Sequence, residues 1–258
     1  MYPIAIQTDH IYLSSYTLLL DLGVLIALAI FWLRARSRLA RPERWLDGAL
    51  IALIGGVLGG RLGYVWANWS YFVDRQSRIL KFWQGGLSWQ GALVGVLVLI
   101  AVYCLVRKLS FWRLADELAF VAPILSVSGW LGCLMVGCAY GREQFTPSLF
   151  AAELPDLFGV LSYRINVQLI AVIWSLVVGI ILWAVRNPDW HGATVAIFLT
   201  MNGIGLSFID SLRGDAVPLL GNWRLDVLFD WTTAIIGIFI LIGCRARFRA
   251  ARKREGTL

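Results

Sequence analysis

Charge is scarce in this sequence: 15% of its 258 residues are Asp, Glu, Lys or Arg, against 59% hydrophobic and a mean hydropathy of +0.72. A soluble domain is roughly 45 to 50% apolar, so water is excluded as the main solvent. Metal-ligating residues are also sparse. Cys104, Cys133, Cys138 and Cys244 show neither CxxC nor CxxCH spacing, and His10 and His191 are the two histidines. Haem and structural zinc are therefore not expected, and no metal or cofactor is implied. Met1–Ser15 contains no Lys or Arg. It lacks the positive segment of a cleavable signal peptide, so the first apolar run is expected to stay as a span. No fixed-period repeat is present, which argues against a solenoid or a parallel-repeat transporter.

What the sequence has is long apolar runs. A membrane-spanning helix needs about 20 of them in succession. That criterion predicts seven spans: 16–33, 45–66, 87–106, 117–136, 166–185, 192–212 and 226–244. The expected fold is an all-α polytopic membrane helix bundle forming one integral membrane domain over 1–258. Of the 23 Lys and Arg, 15 fall on the side of the first, third and fifth loops and the tail, and seven on the other, with Arg61 inside a span. The positive-inside rule then predicts an N-terminus outside and a C-terminus in the cytoplasm, in a bacterial inner membrane. The formal charge of +7 is concentrated beside the first and last spans, which suits an anionic leaflet and not nucleic acid. Gly55, Gly59 and Gly63, with Gly56 and Gly60, repeat every four residues and predict close helix packing.

Ionisable groups inside apolar runs are expensive, about 2.5 to 3.5 kcal/mol each at mid-bilayer, so each asks for a partner or a polar cavity. Asp21, Asp47, Arg61, Asp116, Glu117, Asp210, Asp226 and Asp230 lie in or beside spans. Asp47, Asp116, Glu117 and Asp226 fit as residues of helix ends. Asp210 and Arg213, three apart, either pair with each other or belong to a site. Arg61, Arg142, Arg164 and Arg213 all fall toward the outer half of the bundle, where guanidinium groups suit a phosphate headgroup. Cys133 and Cys138 lie about 140° apart on a regular helix, so a disulfide between them needs a break such as Gly137. The expectation is two small packing residues. Trp66, Trp69, Trp83 and Trp89 read as interfacial belt residues.

Three segments carry a resemblance: GGRLGY over Gly59–Tyr64, WQGGLSWQGALVG over Trp83–Gly95 and GWLGCLMVGCAYGR over Gly129–Arg142. In order and spacing they resemble the prolipoprotein diacylglyceryl transferase family, and the likeness runs from about Tyr16 to the last span. The resemblance implies transfer of a diacylglyceryl group from phosphatidylglycerol to the lipobox cysteine of a preprolipoprotein. It implies candidate catalytic positions at Gln90, Arg142, Asp210 and Arg213. Headgroup contacts are implied at Arg61, Arg142, Arg164, Arg213, Tyr16 and Gln168. Tyr16 is read either as facing that cavity or as an interfacial aromatic.

The sequence departs from the family pattern at telling places. Gln90 stands where the family has a His, and Gln accepts no proton near neutral pH. Trp130 and Leu206 stand where it has arginines. Cys133, Val136 and Cys138 replace two Asn and a Glu, Asp210 replaces a Glu, and Ile165–Asn166 replaces His-Pro. Arg213 and Gln168 are retained. Two main readings follow: a divergent transferase, or an inactive relative that binds lipid or serves as a structural subunit among membrane proteins; transport of a lipid or small molecule is a third.

Overall fold

A computed structural model of the chain describes residues 4–7, 12–81, 85–144, 146, 150–156, 159–185 and 190–255, with side chains for these except 5–7, 12–13 and 248–255. His10, Trp83 and Gln84 lie outside the described residues. In chain order the helices are α1 Ser15–Arg38, α2 Pro42–Ala67, the single turn α3 Trp69–Phe72, α4 Trp89–Arg107, α5 Phe111–Val136, α6 Val167–Val185, α7 Ala193–Ser211 and α8 Leu225–Glu255. All except α3 are long and apolar enough to cross a membrane, α8 over Leu225–Arg247. The seven expected spans are therefore present. Their ends differ mainly where helices run on into charged sequence: α1 continues to Arg38, α5 starts at Phe111 and α8 passes Cys244. Backbone hydrogen bonding does not stop where hydropathy does, and Arg36 and Arg38 in the last turn of α1 complement the helix dipole.

Among the described residues, three antiparallel ribbons of two strands each precede or connect the helices without altering the all-α class: β1 Ile4–Gln7 with β2 Tyr12–Ser14, β3 Ala151–Pro155 with β4 Leu161–Ile165, and β5 Leu219–Leu220 with β6 Trp223–Arg224. Leu25, Leu105, Ile180 and Phe239 project from the spans more than 60% exposed. Apolar surface of this extent marks a chain whose solvent is lipid.

Contact density divides the chain into two compact units, 31–118 and a larger one of 1–30 with 119–258, so that α1 and α5 each contribute to both. In the 31–118 unit, α2 packs on α4 through the predicted glycines. A methyl group added at Gly55 would lie 2.6 Å from the Gly95 carbonyl oxygen, and one at Gly63 would lie 2.8 Å from the Gly91 Cα. Only hydrogen fits on either helix at this seam. Glu117 is neutralised there by Arg34 at 2.7 Å.

The larger unit is built around α7, two-thirds of whose span is buried, against 17 to 39% for the others. Small residues again set the approach: a Cβ at Gly203 would lie 2.5 Å from the Asp230 carbonyl oxygen of α8. The Ser126 and Ser175 hydroxyls meet at 2.9 Å between α5 and α6, a polar contact of the kind that joins helices in lipid.

Candidate functional site

The chain leaves α5 through an abrupt turn. The helix ends at Val136, Gly137 takes φ +81° and Ala139 takes φ 51°. The N–H groups of Gly137 and Cys138 both donate to the Cys133 carbonyl, at 2.8 and 3.1 Å. The turn brings Cys133 and Cys138 to a Cα separation of 4.7 Å, where they form a disulfide. This corrects the expectation of two independent packing cysteines: the angular argument holds for a continuous helix, and Gly137 ends the helix between them.

Beyond the disulfide, residues 140–144 run as a strap between β4 and the segment that follows α7. Gly141 bridges Arg213, and Glu143 bridges Arg164. The Arg142 N–H donates to the Leu212 carbonyl at 3.0 Å, and the Ile165 N–H donates to that of Arg142 at 3.2 Å. Glycine is required on both sides of this stitching. A Cβ at Gly141 would strike the Ile165 carbonyl and one at Gly214 would lie 2.9 Å from that of Gly141. Three of the predicted arginines, Arg142, Arg164 and Arg213, thus share one small backbone patch.

Their surroundings differ. Arg164 is 5% exposed, paired with Glu143 at 2.7 Å and Asp156 at 3.7 Å, and its guanidinium lies 4.8 Å from the centre of the Tyr140 ring. Arg213 binds Asp215 at two points, 2.9 and 2.6 Å, and Asp210 at 3.1 Å. Burial alone would lower the Arg213 pKa, but the bond to Asp215 and the Asp210 charge carry it above the usual arginine value. Arg142 is exposed, and its guanidinium meets no protein partner among the described residues.

Gln168 at the start of α6 is 1% exposed and donates to the Cys138 carbonyl at 2.8 Å, while its own amide oxygen is buried with no hydrogen-bond partner among the described residues. Tyr16 is partly buried, with its ring against α5: a Cβ at Gly132 would lie 2.8 Å from its Cδ2. Trp130 packs on an apolar cluster formed by Val167, Ala171, Leu206 and Ile209. Six predicted residues, Tyr16, Arg142, Arg164, Gln168, Asp210 and Arg213, therefore belong to one unit.

Arg61 and Gln90 belong to the other unit. Arg61 is 8% exposed and donates to the carbonyls of Arg78, Ile79, Gly85 and Gly86 at 2.6 to 3.0 Å. The residue expected to meet a headgroup has its guanidinium committed to the loop beside it. Gln90 accepts from the Ser88 hydroxyl at 3.0 Å in the first turn of α4.

Sequence reasoning passed over Asp215 and Arg224 and assigned Asp226 to a helix end. A signal was present: Arg213 and Asp215, like Arg224 and Asp226, stand two apart. Each pair closes on itself, Arg224 meeting Asp226 at 3.0 Å.

The profile of the prolipoprotein diacylglyceryl transferase family matches residues 3–243 of this chain. The chain belongs to that family. Its relatives include the phosphatidylglycerol–prolipoprotein diacylglyceryl transferase of Bacillus licheniformis, 30% identical over 264 residues, which cover 98% of this chain and 93% of the relative. That of Clostridium tetani is 27% identical over 253 residues, with 93 and 96% covered. Family membership and seven apolar helices agree with a multi-pass protein of a bacterial inner membrane, as in these bacterial transferases.

Proposed function

We propose that this protein binds the phosphate of phosphatidylglycerol at Arg142 and transfers the diacylglyceryl group to the thiol of a preprolipoprotein lipobox cysteine. The observation that carries this reading is the Arg142 guanidinium, exposed and meeting no protein partner among the described residues, on a strap hydrogen-bonded along both edges. A charged fork in that setting is available for two-point contact with a phosphate diester. In the transfer the glyceryl carbon–oxygen bond to phosphate breaks and a carbon–sulfur bond forms. Glycerol phosphate leaves and the thiol gives up its proton. A cation beside the departing phosphate stabilises the charge that develops there.

Arg164, Arg213, Gln168 and Tyr16 support the strap in this reading, and Arg61 shapes its own loop. The N-terminus lies outside and the C-terminus in the cytoplasm. This orientation rests on the Lys and Arg distribution, and it places the Cys133–Cys138 disulfide on the outer, oxidising side.

A second reading, lipid binding without transfer, is favoured by Trp130 and Leu206. The two positions where the family pattern has arginine are joined in one apolar cluster, and Gln90 is no proton acceptor. One experiment separates the readings. Purified protein is incubated with phosphatidylglycerol and a lipobox peptide, and vesicle binding is measured in parallel. Thioether-linked lipid above a no-protein control supports transfer. Binding without product establishes the second reading, and loss of both sinks the lipid site.

A further inference from the structure

Residues 216–223, between Asp215 and Arg224, carry no charged side chain. They include most of the β5–β6 ribbon, whose register pairs Leu219 with Arg224 and Leu220 with Trp223. Gly221 takes φ +63° at the turn, a left-handed conformation that glycine adopts without a Cβ penalty. The Leu225 N–H closes the neck of this hairpin by donating to the Pro218 carbonyl at 3.0 Å, and Leu225 is also the first residue of the α8 span. One guanidinium rivets the neck. Arg224 pairs with Asp226 at 3.0 Å and Asp215 at 3.5 Å, and donates to the carbonyls of Arg213 and Asp215 at 3.2 Å. Charge is thus confined and matched at the base, and the tip is apolar.

Residues 218–223 are all exposed, with Leu219 and Leu220 at 64% and Trp223 at 66%. Leu220 and Trp223, directly opposed, share one face of the ribbon, and Leu219 takes the other because successive side chains alternate. Apolar side chains therefore leave from both faces, and neither face is covered by the described residues of this chain. A protein partner docks on one face, and a specific interface needs about 800 Å² from each side, more than so short a tip offers. A fluid apolar phase surrounds both faces at once. That phase is adjacent: the lipid-facing side of α8 begins in the following turns, where Trp231, Ile235 and Phe239 are 50 to 70% exposed. Tryptophan at the end of a span favours the boundary between headgroups and acyl chains.

We propose that the β5–β6 hairpin is a membrane anchor: Leu219, Leu220 and Trp223 insert into the leaflet beside the start of α8, with Arg224 and its aspartates at headgroup level. The partner is the lipid surface itself. Anchoring also bears on the strap. Arg213, whose carbonyl holds Arg224, is bridged to Gly141, and the Gly214 N–H donates to the Tyr140 carbonyl at 2.9 Å. A seated hairpin therefore fixes the depth of the strap that carries Arg142. The inference rests on α8 crossing the bilayer and not on diacylglyceryl transfer.

Nitroxide spin labels at Leu219→Cys and Leu220→Cys, one on each face, test it in the full chain reconstituted into vesicles of phosphatidylcholine and phosphatidylglycerol. Cys104 and Cys244 are buried and Cys133 and Cys138 are joined, so labelling of the unsubstituted chain supplies the background. Electron paramagnetic resonance then compares collisions with oxygen, which concentrates in acyl chains, and with a water-soluble nickel chelate. Both labels are expected to meet oxygen in preference to the chelate. Preference for the chelate at either label places the tip in water and overturns the proposal. Protection of either label from both agents shows a protein cover, from a second copy or another chain, and overturns it as well. Both positions are exposed, so the substitutions disturb no packing. Since the readout involves no turnover, its failure is distinct from failure of the transferase reading.

Discussion

Arg164 donates to the Glu143 carboxylate at 2.7 Å across the bridge that joins the strap to β4. The neighbouring Arg142 on the same strap has no such partner among the described residues, and under the proposed function it is the arginine that binds while Arg164 holds the fold. Arg142→Ala is expected to weaken binding to phosphatidylglycerol vesicles about 10- to 100-fold, the worth of a charged hydrogen bond of about 1.5 to 3 kcal/mol, with an unchanged melting temperature in detergent. Arg164→Ala should do the reverse first. It removes a buried guanidinium from among Glu143, Asp156 and the Tyr140 ring, at about 1 to 3 kcal/mol of stability. Equal losses of affinity and stability in both variants would show the distinction to be wrong.

Arg61 is expected to be a fold residue. Its four carbonyl partners span Arg78 to Gly86 and require a planar fork with donors in several directions. Lysine offers donors from a single nitrogen and cannot reach them all. Both Arg61→Lys and Arg61→Ala should lower thermal stability, the latter by about 3 kcal/mol or more, and neither should alter vesicle affinity in the folded fraction. An Arg61→Lys protein of full stability and weakened lipid binding would return this residue to the headgroup site.

The cysteine pair closes a short loop. Chain-entropy reasoning for a ring of this size sets its contribution at about 2 kcal/mol. Cys133→Ser and Cys138→Ser should each cost up to that amount, and the double variant should cost no more than either alone, since one bond is lost in all three. Maleimide labelling of the denatured wild-type protein should rise by two thiols on reduction. Full additivity of the two losses, or no rise on reduction, would mean that the two residues act as separate packing side chains.

The membrane class, the number of spans and the glycine seam of α2 were legible in the sequence because each is written in local spacing. Twenty apolar residues in a row, or glycine at every fourth position, carry the same meaning wherever they occur. Six of the candidate site residues share one unit, with Arg142 and Arg164 in the connection between α5 and α6 and Arg213 in that between α7 and α8, and this grouping came from the fold. The disulfide was misjudged because one residue, Gly137, ends the helix before the spacing argument applies. The role of Arg61 was hidden because its partners are backbone carbonyls, which every residue possesses and no side-chain pattern announces.

Sequence alone determined that this chain lives in lipid, which segments cross it and where its charges are concentrated, because the hydrophobic effect acts on composition and period. Tertiary structure decided which charges are paired. Arg142 and Arg164 are the same residue type in neighbouring motifs, and only the folded strap places carboxylates and an aromatic ring around one of them. Trp130 and Leu206 are remote in sequence, and only packing joins them in one apolar cluster. Electrostatic state depends on distances between segments far apart in the chain, and those distances exist only once the helices have packed.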